Sequence, residues 1–165
     1  MATELCTRET GIGERDNTMA YQQETTRNKV VAHYNDGRLL KGFTHDFTPA
    51  RESFHLTSQM EEDFGTTFEV KMSDLKAVFF VKTWKGNLTY KEKKRFDEAD
   101  TSHLRGMKIK VIFKDGETVR GVSLGYSKAK RGFFVIPLDP RSNNERIYVV
   151  AAAVREVKIA AAAEV

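Results

Sequence analysis

The chain has 165 residues, 27 Lys/Arg against 23 Asp/Glu, 40% apolar residues and one cysteine. That mixture suits a globular fold, and no run reaches the roughly 18 consecutive apolar residues of a membrane helix. Cys6 cannot form an internal disulfide, and no basic segment followed by an apolar one is visible at the N-terminus, so a reducing, cytoplasmic location is expected.

Residues 1–27 carry few large apolar side chains and read as a mobile tail. A repeat follows. Val30 to Phe80, shifted by 79 positions, falls without a gap on Ile109 to Ile159. Asp36-Gly37 lands on Asp115-Gly116, Gly42 on Gly121, Phe54 on Phe133 and Val70 on Val149. A fixed period signals duplicated structural units. Two units of about 50–55 residues are each marginal alone, so mutual packing or oligomerisation is expected.

The first unit spans 28–85. Val30, Ala32 and Tyr34 alternate as a strand, Asp36-Gly37 gives a tight turn, and the return strand runs about Arg38–Asp46 with Gly42 inside it. A glycine in mid-strand marks a sharp bend or a close backbone approach. Further strands fall near Ser53–Thr57, Phe68–Met72 and Lys76–Lys82. In the connector, 86–105, Leu88, Lys91–Arg95, Phe96 and Glu98 can make a short helix, while 97–102 reads as loop. The second unit spans 106–160. Met107, Ile109, Val111 and Phe113 alternate mostly with lysines, and strands follow near Glu117–Tyr126, Gly132–Leu138, Arg146–Val150 and Arg155–Ile159. A tail, 161–165, ends the chain.

Val30 to Phe47, with its apolar alternation, Asp36-Gly37-Arg38 and Gly42, resembles the first Sm motif. Lys110–Tyr126 matches it through Asp115, Gly116 and Gly121. Leu75-Lys-Ala-Val78 and Val154-Arg-Glu-Val157 echo the second motif. The resemblance implies an all-β fold: two tandem Sm-like five-stranded bent small β-barrels, joined by the short connector. Leu75–Val81 and Ser142-Asn-Asn144 also resemble an uncharacterised bacterial family with paired barrels. Sm proteins that bind uridine carry an Asn after the second strand and an Arg-Gly in the second motif. Glu52 and Arg131 stand at the Asn position, Ala77 and Glu156 at the Gly position. The resemblance therefore implies the fold without that RNA pocket.

From Gly106 onward there are 11 Lys/Arg against 6 Asp/Glu, and Lys128, Lys130, Arg131 and Arg155, with Phe134 for stacking, can meet phosphate or nucleic acid. A solvated loop explains the same charges, and Phe134 can cover a neighbour. His45 and His55, with Asp46 or His33, lie near one hairpin, but no metal-ligand spacing supports a site. No nucleophile, paired-carboxylate or phosphate-loop motif is present, so no enzyme activity and no cofactor is expected. What remains is a binding or regulatory module. Open strand edges let such a fold join a neighbour or recruit a protein, so a protein partner or homo-oligomer is expected, with RNA or nucleotide as the alternative and no membrane.

Overall fold

The computed structural model describes residues 27–165; the expectations for residues 1–26, Cys6 included, lie outside the described residues. The first half contributes β1 (Asn28–Tyr34), β2 (Leu39–Thr44), β3 (Ser53–Ser58), β4 (Thr67–Lys71) and β5 (Leu75–Val81). The second contributes β6 (Met107–Phe113), β7 (Thr118–Ser123), β8 (Gly132–Pro137), β9 (Asn144–Val150) and β10 (Val154–Ile159). Short 3-10 turns are the only helical segments among the described residues, and the chain is all-β.

All ten strands form one antiparallel sheet in the order β10-β6-β7-β8-β9-β5-β1-β2-β3-β4. Each half therefore has the same internal order, and its hydrogen bonds repeat with the sequence period. Tyr34 N–H donates to Arg38 O at 2.9 Å, and Phe113 N–H to Glu117 O at 2.9 Å. Asn35 N–H donates to Asp74 O, and Lys114 N–H to Ala153 O. Met72 N–H donates to Glu52 O, and Ala151 N–H to Arg131 O. Gly37 and Gly116 turn at φ +91° and +92°, a region that glycine enters without a Cβ penalty. In mid-strand, a Cβ on Gly42 would overlap Thr57 O, and one on Gly121 would overlap Ile136 O.

The halves meet where β5 pairs with β9, with Ala77 opposite Val149 and Val78 opposite Tyr148. Alternate side chains of these two strands enter different cores. Ala77, Phe79 and Val81 of β5 join Ile109, Val111, Phe113 and Phe133 of the second half. Tyr148 and Val150 of β9 join Val30, Phe54, Leu56 and Phe80 of the first. Neither core is complete without the other half, which explains why every residue of β5 is buried.

The short helix that the connector can make does not form. Residues 86–105 are turns and extended chain. The Asp139 carboxylate accepts from Tyr90 Oη at 2.5 Å and from Lys93 N–H at 2.9 Å. Asp97 and Asp100 bind groups two residues away. Side-chain acceptors thus take backbone N–H groups that a helix needs for itself.

Candidate functional site

The joint between the halves is held by charge as well as by apolar packing. Lys76, only 7% exposed, reaches from β5 into the second half's Asp-Gly turn. Its Nζ donates to Asp115 Oδ2 at 2.7 Å and to Glu117 Oε2, and lies over the Phe113 ring. Burial works against the charge on Lys76, but the two carboxylates outweigh it and raise its pKa. The bond from Lys76 and the Glu117 N–H hold Asp115 below the usual carboxylate range. His33 lies beside this group, its ring centroid 4.1 Å from that of Phe79. Burial pushes its pKa down, against the pull of Glu117.

At the other end of the joint, Arg131 Nη1 meets Glu52 Oε1 at 3.2 Å. Between them and the strands opens a cavity of about 400 Å³, lined among others by Arg51, Met72, Tyr148, Val150 and Ala151. Tyr148 lines this space, and its Oη lies against Gly132.

Among the described residues, the two outermost strands, β4 and β10, have one neighbour each. They are the 79-residue counterparts of the pair that forms the joint: β4 corresponds to β9, and β10 to β5. Their outward residues differ in kind. Where β5 has Ala77 and Phe79, β10 has Glu156 and Lys158; where β9 has Tyr148 and Val150, β4 has Glu69 and Lys71. Charge on an open edge discourages indiscriminate strand pairing.

The residues expected to touch nucleic acid lie in the β7–β8 loop, on β8 and on β10. Lys128 and Lys130 are exposed in the β7–β8 loop, where Lys130 Nζ donates to Gly125 O at 3.1 Å. Arg131 is engaged with Glu52. Phe134 is packed against Tyr148 and Phe80 with the Arg146 guanidinium 5.0 Å from its centroid, so its ring serves the core. Arg155 lies on β10. Of the histidines, His55 Nδ1 pairs with Asp46 Oδ2 at 2.7 Å, and Asp46 Oδ1 also accepts from the His55 N–H at 2.8 Å. Among the described residues no group of three or more His, Cys, Asp or Glu converges as a metal site would. No described helix is long and apolar enough to cross a membrane.

Sequence reading missed Lys76 and Asp139. The signal for Lys76 is its position inside the otherwise apolar run Leu75–Val81, where a lysine must find a buried partner or snorkel. Asp139 looks like an ordinary turn residue before Pro140, and nothing local marks it as the anchor of a distant connector.

Residues 26–161 match the model of a family described as "Family of unknown function (DUF6982)". No curated protein and no solved structure matches the chain.

Proposed function

We propose for this chain, which belongs to the DUF6982 family, the role of a non-catalytic binding and regulatory module built from two Sm-like barrels and acting through protein–protein contact. The barrel reading draws on the repeated strand order and on the close backbone approach at Gly42 and Gly121. One observation carries the role: the sheet joins its own halves edge to edge and, among the described residues, ends in two strands with open edges, β4 and β10. An open edge presents unpaired N–H and C=O groups that an extended segment of another protein can complete.

The same edges argue for a foreign partner over self-association. If β10 of one copy met β4 of another in the register of the inner joint, Glu156 would lie on Val70 and Lys158 on Phe68. Charges set against apolar side chains without a counter-ion are costly. The second reading, RNA or nucleotide binding, draws on the cationic second half but lacks a free aromatic platform at Phe134.

The test uses the full chain as bait in its native host, beside light scattering of the pure protein. The expected result is a monomer that retains a specific protein, and loses it when proline is placed in β10 without loss of far-UV signal. A monomer that retains no protein, or a partner indifferent to blocking both edges, would overturn the reading.

A further inference from the structure

The first half holds the second with one edge and one face of its sheet. The second half carries the same edge and face, recoded. On β5 the edge pairs with β9, Phe79 enters the neighbouring core, and Lys76 takes the carboxylates of Asp115 and Glu117. Shifted by 79 residues, β10 has an edge left open by the described residues, Lys158 at the place of Phe79 and Arg155 at the place of Lys76.

The cations extend inward. The register sets Lys110 of β6 opposite Lys158, and Arg120 of β7 opposite Lys110. Three cations therefore stand in a row across three strands, where the first half has Phe79, Val31 and Lys41. Directly opposed like charges destabilise a sheet. Burial, then Arg120 and Lys158, lower the pKa of Lys110. The C-terminal turn relieves part of the row: Lys110 Nζ donates to Val165 O at 2.6 Å, and Lys108 pairs with Glu164. Glu156 is the one carboxylate on β10. Arg120, Arg155 and Lys158 have no ion pair or side-chain hydrogen bond among the described residues.

We propose that the open β10 edge docks an extended acidic segment of a protein partner, which adds as an eleventh strand and sets its carboxylates on Arg155 and Lys158. The proposal rests on the edge-binding role above and names the partner's chemistry. Two observations favour a peptide over nucleic acid. The edge offers backbone donors and acceptors in alternation at strand spacing, which another backbone matches and a phosphodiester chain, whose phosphates only accept, does not. The position of Arg155 already binds carboxylates in this chain, through Lys76 in the other half.

The probe is a short fluorescein-labelled peptide of alternating Glu and Val, followed by fluorescence anisotropy at low salt. Binding is expected to weaken by at least about tenfold in R155E/K158E. It is also expected to vanish when alternate backbone nitrogens of the peptide are methylated. Arg155 is exposed and Lys158 half-buried, so the variant is expected to keep the parent's circular dichroism and melting curve. A Glu–Val peptide that does not bind, or whose affinity ignores both changes, overturns the proposal. So does single-stranded RNA of about 20 nucleotides that binds this face more tightly than the peptide, which would assign the row to phosphate. An alternating Lys–Val peptide separates the two levels. If it binds an edge while Glu–Val does not, the acidic partner is wrong and the edge-binding role stands; if neither binds, both fall.

Discussion

Glu52 and Arg131, 79 residues apart and at the same position in the two halves, face each other across the joint at 3.2 Å. The duplication placed one site on both sides of a contact, and the two copies now carry opposite charges. Both side chains are largely exposed, at 85% and 76%, so solvent screens the pair. R131E is therefore expected to cost less than about 1 kcal/mol in urea unfolding. E52R/R131E is expected to return to the parent value. A larger loss, or no recovery in the swap, would mean that the pair does more than face its counterpart.

Lys76 is the buried counterpart. K76A removes the cation that ties the halves and leaves Asp115 and Glu117, themselves about half exposed, to water. The expected cost is about 1–2 kcal/mol, below that of breaking a fully buried pair because the carboxylates can rehydrate. R155A, at the matching place on the open edge, is expected to stay within about 0.5 kcal/mol of the parent. Equal effects of the two changes would contradict the assignment of Lys76 as the pin.

Phe79 starts on a first-half strand and ends in the second half's core. F79A is expected to lose about 3–5 kcal/mol. Because β5 and β9 each serve both cores, the parent is expected to unfold in a single transition by calorimetry, with both halves melting together. Two resolved transitions in the parent would show halves that stand alone.

The acid limb of stability has two steps. Burial holds the folded pKa of His33 below its ordinary 6.5. Above pH 6.5 it therefore costs nothing, and as pH falls the unfolded chain takes the proton first and stability declines. Asp115, held below its ordinary 3.8, contributes stability that is present above that value and lost as pH falls through its folded pKa. Lys76, raised above 10.5, keeps its contribution below that value and loses it as pH climbs through the folded pKa. The melting temperature is expected to begin falling just below pH 6.5, and H33Q to lack that first step. A flat profile down to the carboxylate range would contradict it.

Much of the architecture was legible in the residues. The gap-free repeat, the alternation in Met107–Phe113 and the Asp-Gly turns are local signals of strands and hairpins, and they lie within a residue or two of the observed elements. Mutual packing of the halves was expected, but not which strands make the joint, although Leu75–Val81 carries its mark. That run does not alternate, as befits a strand buried on both faces, whereas Val154–Ile159 mixes Arg155, Glu156 and Lys158 with apolar residues. Whether the connector is helical stayed open in the sequence because helix propensity is weak against a distant acceptor such as Asp139. For Phe134, spacing left two readings, a stacking platform beside cations or cover for a neighbour, because it says nothing of the Arg146 and Tyr148 side chains that pack on it.

β5 lies inside the sheet, while its sequence counterpart β10 lies at the edge. Amide hydrogen exchange of the intact chain reads this directly. Residues 75–81, bonded to β1 and β9, are expected to exchange by global unfolding, and residues 154–159, bonded to β6 alone, to exchange markedly faster. Equal protection of the two segments, or faster exchange in 75–81, would contradict it.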